Sequence, residues 1–270
     1  MFKQRLIRLM RAWSLIPLGE FIRLQLLRVL NLRDNLAFKR QQPDFVVPPD
    51  KFLYETSGNV NYRDYCQYGQ AIAEYYLELF RTHGSITAAK PFRILEWGCG
   101  PGRIIRHLGE LGGAGVEVYG SDYDAECIGW CAAHLPRVDF RCNGLSPPLD
   151  FPEEFFDAVY CVSVFTHLSA ALHRAWLAEL RRVLKPGGVL AITLHGDQYR
   201  DKLLPDERAQ YEEGELVVRS QVVEGSRLYA AFHPPSFVRD WLSEFEAVEH
   251  IEKPLPPFIL QDQWIARKPG

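Results

Sequence analysis

The sequence lacks a strong excess of either charge and lacks long apolar runs. Its 270 residues hold 31 basic and 34 acidic side chains, a formal net charge of −3. No uninterrupted apolar stretch reaches about 20 residues, the length needed to cross a bilayer, and no apolar core with a small-residue cleavage site follows the basic start. We therefore expect no general attraction to nucleic acid, no transmembrane helix and no secretory signal.

Cysteine is present but scattered. The six cysteines stand at positions 66, 99, 127, 131, 142 and 161, without a C-x-x-C pair, and the histidines do not cluster in the sequence. This pattern predicts a reduced, cytoplasmic protein without a metal site. Cys127 and Cys131 lie one helical turn apart, and two small buried helix residues are a better interpretation of that spacing than a shared metal.

The basic residues concentrate at the start of the chain. Residues 1–41 hold nine basic side chains against two acids, interleaved with apolar residues. We predict two short amphipathic helices, one near residues 6–13 and one over residues 18–32, followed by a proline-rich connector to residue 49. Two interpretations stay open: contact with a membrane surface, at the inner membrane face, or another anionic partner, and a helical pair packed on its own domain.

The most informative segment is residues 93–103, Arg-Ile-Leu-Glu-Trp-Gly-Cys-Gly-Pro-Gly-Arg. A short apolar run brings Glu96 into a loop with glycines at 98, 100 and 102, while Arg103 stands where the dinucleotide fingerprint has its last glycine. A carboxylate in this loop would repel a pyrophosphate and attract ammonium and sulfonium groups. The loop therefore favours S-adenosylmethionine over a dinucleotide.

A second strand-like segment, residues 116–122, ends in an acid 26 positions after Glu96. Asp122 at that strand end is suited to accept hydrogen bonds from ribose hydroxyls, as the second-strand acid does in dinucleotide folds.

With these motifs and the segments 155–168 and 180–188, residues 90–195 resemble class I S-adenosylmethionine-dependent methyltransferases. The resemblance implies that the 96–102 loop holds the methionine part, Asp122 the ribose and residues 143–145 the adenine. The chain has Asn143-Gly144 where the family usually has an acid, and an amide oxygen can replace it as an acceptor. The cofactor-binding residues so implied are Glu96, Gly98, Cys99, Gly100, Gly102, Arg103, Asp122, Tyr123, Asn143, Gly144, Leu145, Cys161 and Ser163.

The alternation of strands and helices predicts an α/β fold, a doubly wound, mostly parallel seven-stranded sheet with an N-terminal helical extension and an inserted lid. Predicted strands cover 92–96, 116–121, 137–142, 156–162, 188–194, 247–252 and 261–267, and helices lie near 102–111, 124–134, 169–184 and 236–245. The predicted organisation is an arm and connector over 1–49 and a methyltransferase domain over 50–270. That domain comprises a cover (50–90), a cofactor half (91–196), a lid (197–233) and closing elements (234–270).

Two histidines follow predicted strands and are candidate bases. His167 could accept a proton from the acceptor or hold its loop, and His195 could do so with Asp197 as its orienting partner, or belong to a polar turn. Within the lid, the plausible acceptor contacts are Tyr199, Arg219, Arg227, Tyr229 and His233. In the cover, Tyr54, Tyr62 or Tyr68 could touch the cofactor, although an aromatic stripe is more often core.

The predicted function is methyl transfer, to the oxygen of a small molecule, sugar or lipid-linked glycan. A narrower similarity to bacterial methyltransferases of glycan and natural-product pathways suggests those acceptors. Two alternatives are a nicotinamide-dependent oxidoreductase and a non-catalytic module that binds S-adenosylmethionine.

Overall fold

A computed structural model describes residues 16–84 and 91–270. The chain divides into two compact units, one ending at Gln67 and one covering Tyr68–Gly270. The division falls at 67/68, whereas the sequence predicts it at 49/50. In the described part of the chain, no helix is both long enough and apolar enough to cross a membrane.

The first unit is helical. Helix α1 (Ile16–Gln41) is followed by α2 (Asp50–Ser57) and by the start of α3 (Tyr62–His83), and Leu24 and Leu27 of α1 pack against the buried Leu53 and Tyr54. The second helix predicted for the arm thus continues for nine residues beyond its expected end, and Pro17 lies in its first turn, where proline breaks no helical hydrogen bond. The first predicted helix, near residues 6–13, lies outside the described residues.

The second unit is built on the predicted seven-stranded sheet, in the order β3-β2-β1-β4-β5-β9-β8. Strands β1 to β5 pair in parallel, and β9 runs antiparallel to both β5 and β8. The strands are β1 (Phe92–Trp97), β2 (Val116–Asp122), β3 (Asp139–Cys142), β4 (Phe156–Cys161), β5 (Leu184–Leu194), β8 (Glu246–Ile251) and β9 (Asp262–Arg267).

Helices cover both faces of the sheet. Tyr76 of α3 and Ile105 of α4 (Ile105–Leu111) pack on one face, together with α5 (Ala125–His134). Trp176 of α6 (Ala170–Val183) and Leu242, just after α8 (Pro235–Trp241), pack on the other. Because neighbouring strand residues point to opposite faces, Ile94 enters the first core and Leu95 the second.

The predicted lid holds helix α7 (Pro205–Glu212) and a separate antiparallel pair, β6 (Val217–Arg219) and β7 (Ala230–Phe232). Two boundaries differ from the sequence prediction. Strand β5 begins at Leu184, so the Lys-Pro-Gly-Gly segment lies inside the strand at a register shift. Helix α8 begins with Pro235, one residue before its predicted start, and ends at Trp241, before its predicted end at 245.

Candidate functional site

The glycine loop after β1 has a left-handed backbone conformation, which only glycine adopts easily. Gly98, Gly100 and Gly102 have φ values of +75°, +50° and +71°, a region that costs other residues free energy. At Gly98 a side chain is also sterically excluded, because a Cβ there would lie 2.2 Å from Cγ2 of Val164. The amides of Gly98 and Cys99 donate to the Ser121 carbonyl at 2.7 and 3.1 Å, which joins the loop to the end of β2.

The buried Arg106 holds the same loop from below. Its Nε donates to the Gly102 carbonyl at 2.9 Å and its Nη2 to the Pro101 carbonyl at 3.2 Å. Sequence reasoning missed this residue, because a basic side chain one turn into a helix looks like an ordinary exposed charge.

Glu96 lies beneath the loop and is only 3% exposed. Among the described residues, its Oε2 has no hydrogen-bond partner. Burial raises the pKa of the carboxyl to about 8, although the charge of Arg103 favours the ionised form. Burial therefore favours the neutral carboxyl while the site holds no cation, in contrast to the standing negative charge expected from the sequence. An approaching cation would favour the ionised form, so the site fits a cationic ligand.

Asp122 ends β2 beside the loop. Its Oδ2 accepts from the Gly100 amide at 2.8 Å and its Oδ1 from the Asp124 amide at 3.0 Å. Burial raises the pKa of this carboxyl, while the amides favour its charged form. A carboxylate oxygen can accept more than one hydrogen bond, so both oxygens can also take a ribose hydroxyl.

The segment expected to contact adenine, residues 143–145, is held by hydrogen bonds within the protein. The Asn143 side chain accepts from the Ser121 hydroxyl and donates to the Gly144 carbonyl at 2.6 Å. Its oxygen accepts one bond and has a second lone pair, so the expected bond to the adenine amino group stays a prediction. Leu145 is partly exposed, and its carbonyl accepts from Trp176 Nε1 at 2.9 Å.

The lid reaches this adenine side. Tyr123 donates its hydroxyl hydrogen to the Gly225 carbonyl at 3.1 Å, and a Cβ at Gly225 would lie 2.8 Å from Leu145 Cδ1. The Gly225 amide in turn donates to the His167 carbonyl at 2.9 Å. One lid segment thus contacts both the predicted adenine residues and the turn after β4.

Of the two residues predicted from β4 and the turn that follows it, Cys161 is fully buried in the core. Ser163 has a left-handed φ of +66° and is held by side chains. Its amide donates to Thr193 Oγ1 at 2.8 Å, and its hydroxyl accepts from Gln261 Nε2 at 2.7 Å. A strained residue fixed in this way is characteristic of functional sites.

His167 and His195 have the same hydrogen-bond arrangement. Nδ1 of His167 lies 2.8 Å from the Tyr229 carbonyl, and Nδ1 of His195 lies 3.2 Å from the Ala231 carbonyl. A carbonyl can only accept, so each Nδ1 carries the hydrogen, and each Nε2 of the neutral ring has a lone pair. Burial lowers the pKa of both rings, that of His195 to about 3.

Asp197 does not orient His195, contrary to the sequence prediction. Its Oδ1 accepts from the Tyr211 hydroxyl at 2.9 Å and pairs with Arg200 at 3.2 Å. The orienting group is the Ala231 carbonyl, which belongs to β7.

Some of the lid residues predicted as acceptor contacts lie beside the candidate bases, and others are engaged by partners within the protein. Tyr199 stacks on His195 with ring centroids 4.1 Å apart, and Arg227 is partly buried. Arg219 is engaged by Glu207 at 2.6 Å, and Tyr229 is buried. His233 Nε2 lies 2.8 Å from His173 Nε2. Arg219, Tyr229 and His233 therefore support the lid.

The aromatic residues of the predicted cover have structural partners. Tyr54 donates to Glu20 at 2.7 Å, Tyr62 donates to Asp50 at 2.9 Å, and Tyr68 packs edge-on against Phe258. This placement favours the core interpretation of the stripe. Within residues 16–84 and 91–270, no three His, Cys, Asp or Glu side chains are grouped to hold a metal ion.

Comparison with known proteins finds a family model that covers the segment holding this site. Residues 94–188 match the family model described as "Methyltransferase domain". The ubiquinone biosynthesis O-methyltransferase of Bradyrhizobium is 28% identical over 135 residues, which are 48% of this chain and 51% of that protein. The mitochondrial enzyme of the same name from Mus musculus is 34% identical over 125 residues, 43% of this chain and 32% of that protein. The matches thus span about half or less of these relatives.

The fold is also similar to that of solved methyltransferase structures. The structure of magnesium protoporphyrin IX methyltransferase from Synechocystis, solved with bound SAH, superposes with a TM-score of 0.52 at 16% identity, over 89% of this chain and 98% of that one.

Residues 94–188 are a methyltransferase domain of the class I S-adenosylmethionine-dependent type. The fold and cofactor expected from the sequence are confirmed, and the comparisons support methyl transfer rather than the oxidoreductase alternative. Glu96 Oε2, which has no hydrogen-bond partner among the described residues, and the two oxygens of Asp122 lie at the glycine loop of this domain.

Proposed function

We propose that this protein methylates an oxygen of a small-molecule acceptor and that His167 accepts the acceptor's proton. The observation that carries the proposal is the hydrogen bond from His167 Nδ1 to the Tyr229 carbonyl, which leaves Nε2 able to take a proton. The methyltransferase domain supports methyl transfer, and the names of the two relatives support oxygen as the methylated atom.

When bound, the cofactor supplies a methyl group on a positively charged sulfonium. The protein has to align the acceptor with that methyl group and remove the proton of the acceptor hydroxyl. Glu96 and Asp122 would hold the cofactor, and the Tyr123 and Leu145 side chains would border the adenine. Gly98, Gly100 and Gly102 allow the backbone to approach the ligand closely.

The proton transfer is assigned to His167 for a physical reason. A general base works best when its pKa is close to the working pH. Burial lowers the pKa of both rings and the bond to a carbonyl raises each in part, but the charges of His167, Lys202 and Arg219 lower that of His195 further, to about 3. The proton that the acceptor hydroxyl loses on methylation would end on Nε2 of His167.

The acceptor would lie against the lid side of the site. The stacked rings of His195 and Tyr199 offer a flat wall, and Lys202 Nζ lies 3.9 Å from the centre of the Tyr199 ring. A ring-shaped acceptor with hydroxyl groups suits this wall, and we propose a sugar or a lipid-linked glycan as the acceptor class.

The experiment has two stages. Labelled methyl transfer into a lysate, separated into lipid, polysaccharide, protein and small-molecule pools, finds the acceptor. With that acceptor, His167→Gln should lower kcat by about 10²–10⁴-fold, the usual contribution of a general base, and leave the affinity for S-adenosylhomocysteine unchanged.

His195→Gln is the matched control and should lower kcat less. Unchanged turnover in His167→Gln would remove that residue from the proton transfer. Binding of S-adenosylhomocysteine without label in any pool would instead favour a non-catalytic module.

A further inference from the structure

Helix α1 carries large apolar side chains on two opposite sides. On one side, Leu24 and Leu27 pack against the core of the first unit. Eight further apolar side chains of the helix are exposed: Leu18, Phe21, Ile22, Leu26, Val29, Leu30, Leu32 and Leu36. The helix is therefore more apolar than the packing of its own unit requires.

These exposed residues form one continuous surface. Leu18, Ile22, Leu26, Val29 and Leu36 follow one another at spacings of three, four or seven, which places them along the same face of a helix. At a rise of 1.5 Å per residue, the face is about 27 Å long. Val29 is 72% exposed, and a soluble protein rarely leaves so large an apolar surface without a partner. We call this face the apolar stripe of α1.

The charges on α1 are arranged around the stripe. Arg33 and Arg40 continue its spacing, four positions after Val29 and Leu36, and both are exposed. Neither has an ion-pair partner in the ranges 16–84 and 91–270. The acids of α1 lie elsewhere. Glu20 accepts from Tyr54 on the packed side, and Asp34, five positions after Val29, lies about 140° around the helix from it.

We infer that the apolar stripe of α1 is a docking surface for an anionic lipid membrane, with the helix lying in the plane of the interface. An apolar face with arginines along it combines the two attractions that hold such helices, burial of apolar side chains and pairing with anionic headgroups. A second copy of the chain packed stripe to stripe is a poorer occupant, because the stripe side of α1 offers no acid to pair with Arg33 and Arg40. The inference concerns the first unit and does not rest on the proposed function.

The test measures binding of the full-length protein to vesicles by sedimentation. The protein should bind vesicles of phosphatidylglycerol and phosphatidylcholine, bind phosphatidylcholine alone more weakly, and lose affinity as salt is added. Val29→Glu should lower the partition coefficient at least about tenfold, since it places a charge in the centre of the buried face. Val223→Glu is the matched control, because Val223 is 79% exposed but lies in the lid, and it should bind like the wild type.

A second pair of variants tests the charges without changing any apolar residue. Arg33→Gln combined with Arg40→Gln should weaken binding to the anionic vesicles and flatten its salt dependence, while binding to neutral vesicles stays the same. The control is Arg137→Gln combined with Arg174→Gln, two exposed arginines of the second unit. This pair decides the question if Val29→Glu fails to fold.

Several results would overturn the inference. The wild type could fail to bind anionic vesicles, or Val29→Glu could bind them as the wild type does. If the wild type forms a dimer and Val29→Glu is a monomer, the stripe would be assigned to contact with a second copy of the chain. Unfolding of Val29→Glu, with normal vesicle binding by the double arginine variant, would show that the stripe covers part of the protein itself.

Discussion

The cofactor half and the lid use different parts of their residues to build the site. In the cofactor half, the site depends on the identity of the side chains. Glu96 and Asp122 supply carboxyls, and glycines, which have no side chain, leave room for the loop. In the lid, the deciding groups are the main-chain carbonyls of Tyr229 and Ala231, which hold the two candidate bases. The first arrangement leaves a signature in the sequence, and the second leaves almost none.

The two regions also respond oppositely to pH. Burial raises the pKa of Glu96 above its ordinary value of 4.5 to about 8, so the folded state keeps a proton that the unfolded state loses. Burial lowers the pKa of His173, which bonds His233 at the end of the lid, from 6.5 to about 4. Through Glu96, the folded state of the cofactor half is therefore more stable at acidic pH. Through His173, the folded state of the lid side is more stable at neutral and basic pH.

The largest effect is expected for Glu96→Gln. The buried carboxyl costs stability as the pH rises from 4.5 through 8, and its removal should raise the free energy of unfolding by roughly 3–5 kcal/mol at pH 9. The same change should weaken binding of S-adenosylmethionine, because the amide cannot balance its charge. Urea unfolding at pH 6 and 9 measures the first effect, and calorimetric titration the second. Glu110→Gln on the exposed surface of α4 is the control, and equal pH dependence in both variants would contradict the assignment.

A smaller effect of opposite sign is expected for His173→Gln. Below pH 6.5 the unfolded state takes up a proton that the buried ring refuses until about pH 4, so the wild type should lose about 3 kcal/mol across that interval through this histidine. The variant should lose less over the same interval. Thermal unfolding followed between pH 7 and pH 4 measures the difference, with His134→Gln, at the exposed end of α5, as the matched substitution. Parallel curves for wild type and His173→Gln would show that the pair does not set the acid sensitivity.

The smallest effect is expected for Asp122→Ala, which should weaken binding of S-adenosylhomocysteine by roughly 1.5–3 kcal/mol through the loss of charged hydrogen bonds. Asp124→Ala is a close control. Asp124 caps α5 by accepting from the amides of Glu126 and Cys127, so its loss should lower stability by about 1 kcal/mol without changing affinity. Equal affinity losses in the two variants would mean that Asp122 acts through the loop structure.

The sequence predicts the sheet and the cofactor loop because both depend on local patterns. Apolar runs ending in Glu96 and Asp122, with glycines at fixed positions, are visible without any tertiary information. Tertiary contacts decide the rest. Asn143 turns its amide toward Ser121, and Asp197 bonds Tyr211, fourteen residues away. No local sequence pattern predicts either of these two contacts.

The orienting groups of the histidines were hidden for a related reason. Every residue has a carbonyl, so the identity of Tyr229 or Ala231 says nothing about a role played by the backbone. Only the pairing of β7 with β6 and the course of the lid bring those carbonyls to the rings.

The protonated Glu96 has a consequence for how the pocket exchanges its contents. A carboxyl that is neutral when alone and charged beside a cation releases one hydrogen ion when the methyl donor enters and recovers it when the positive sulfur becomes a neutral thioether. Loading and unloading would then leave the interior nearly uncharged. The amount of acid released on mixing should therefore be larger for the donor than for its demethylated product.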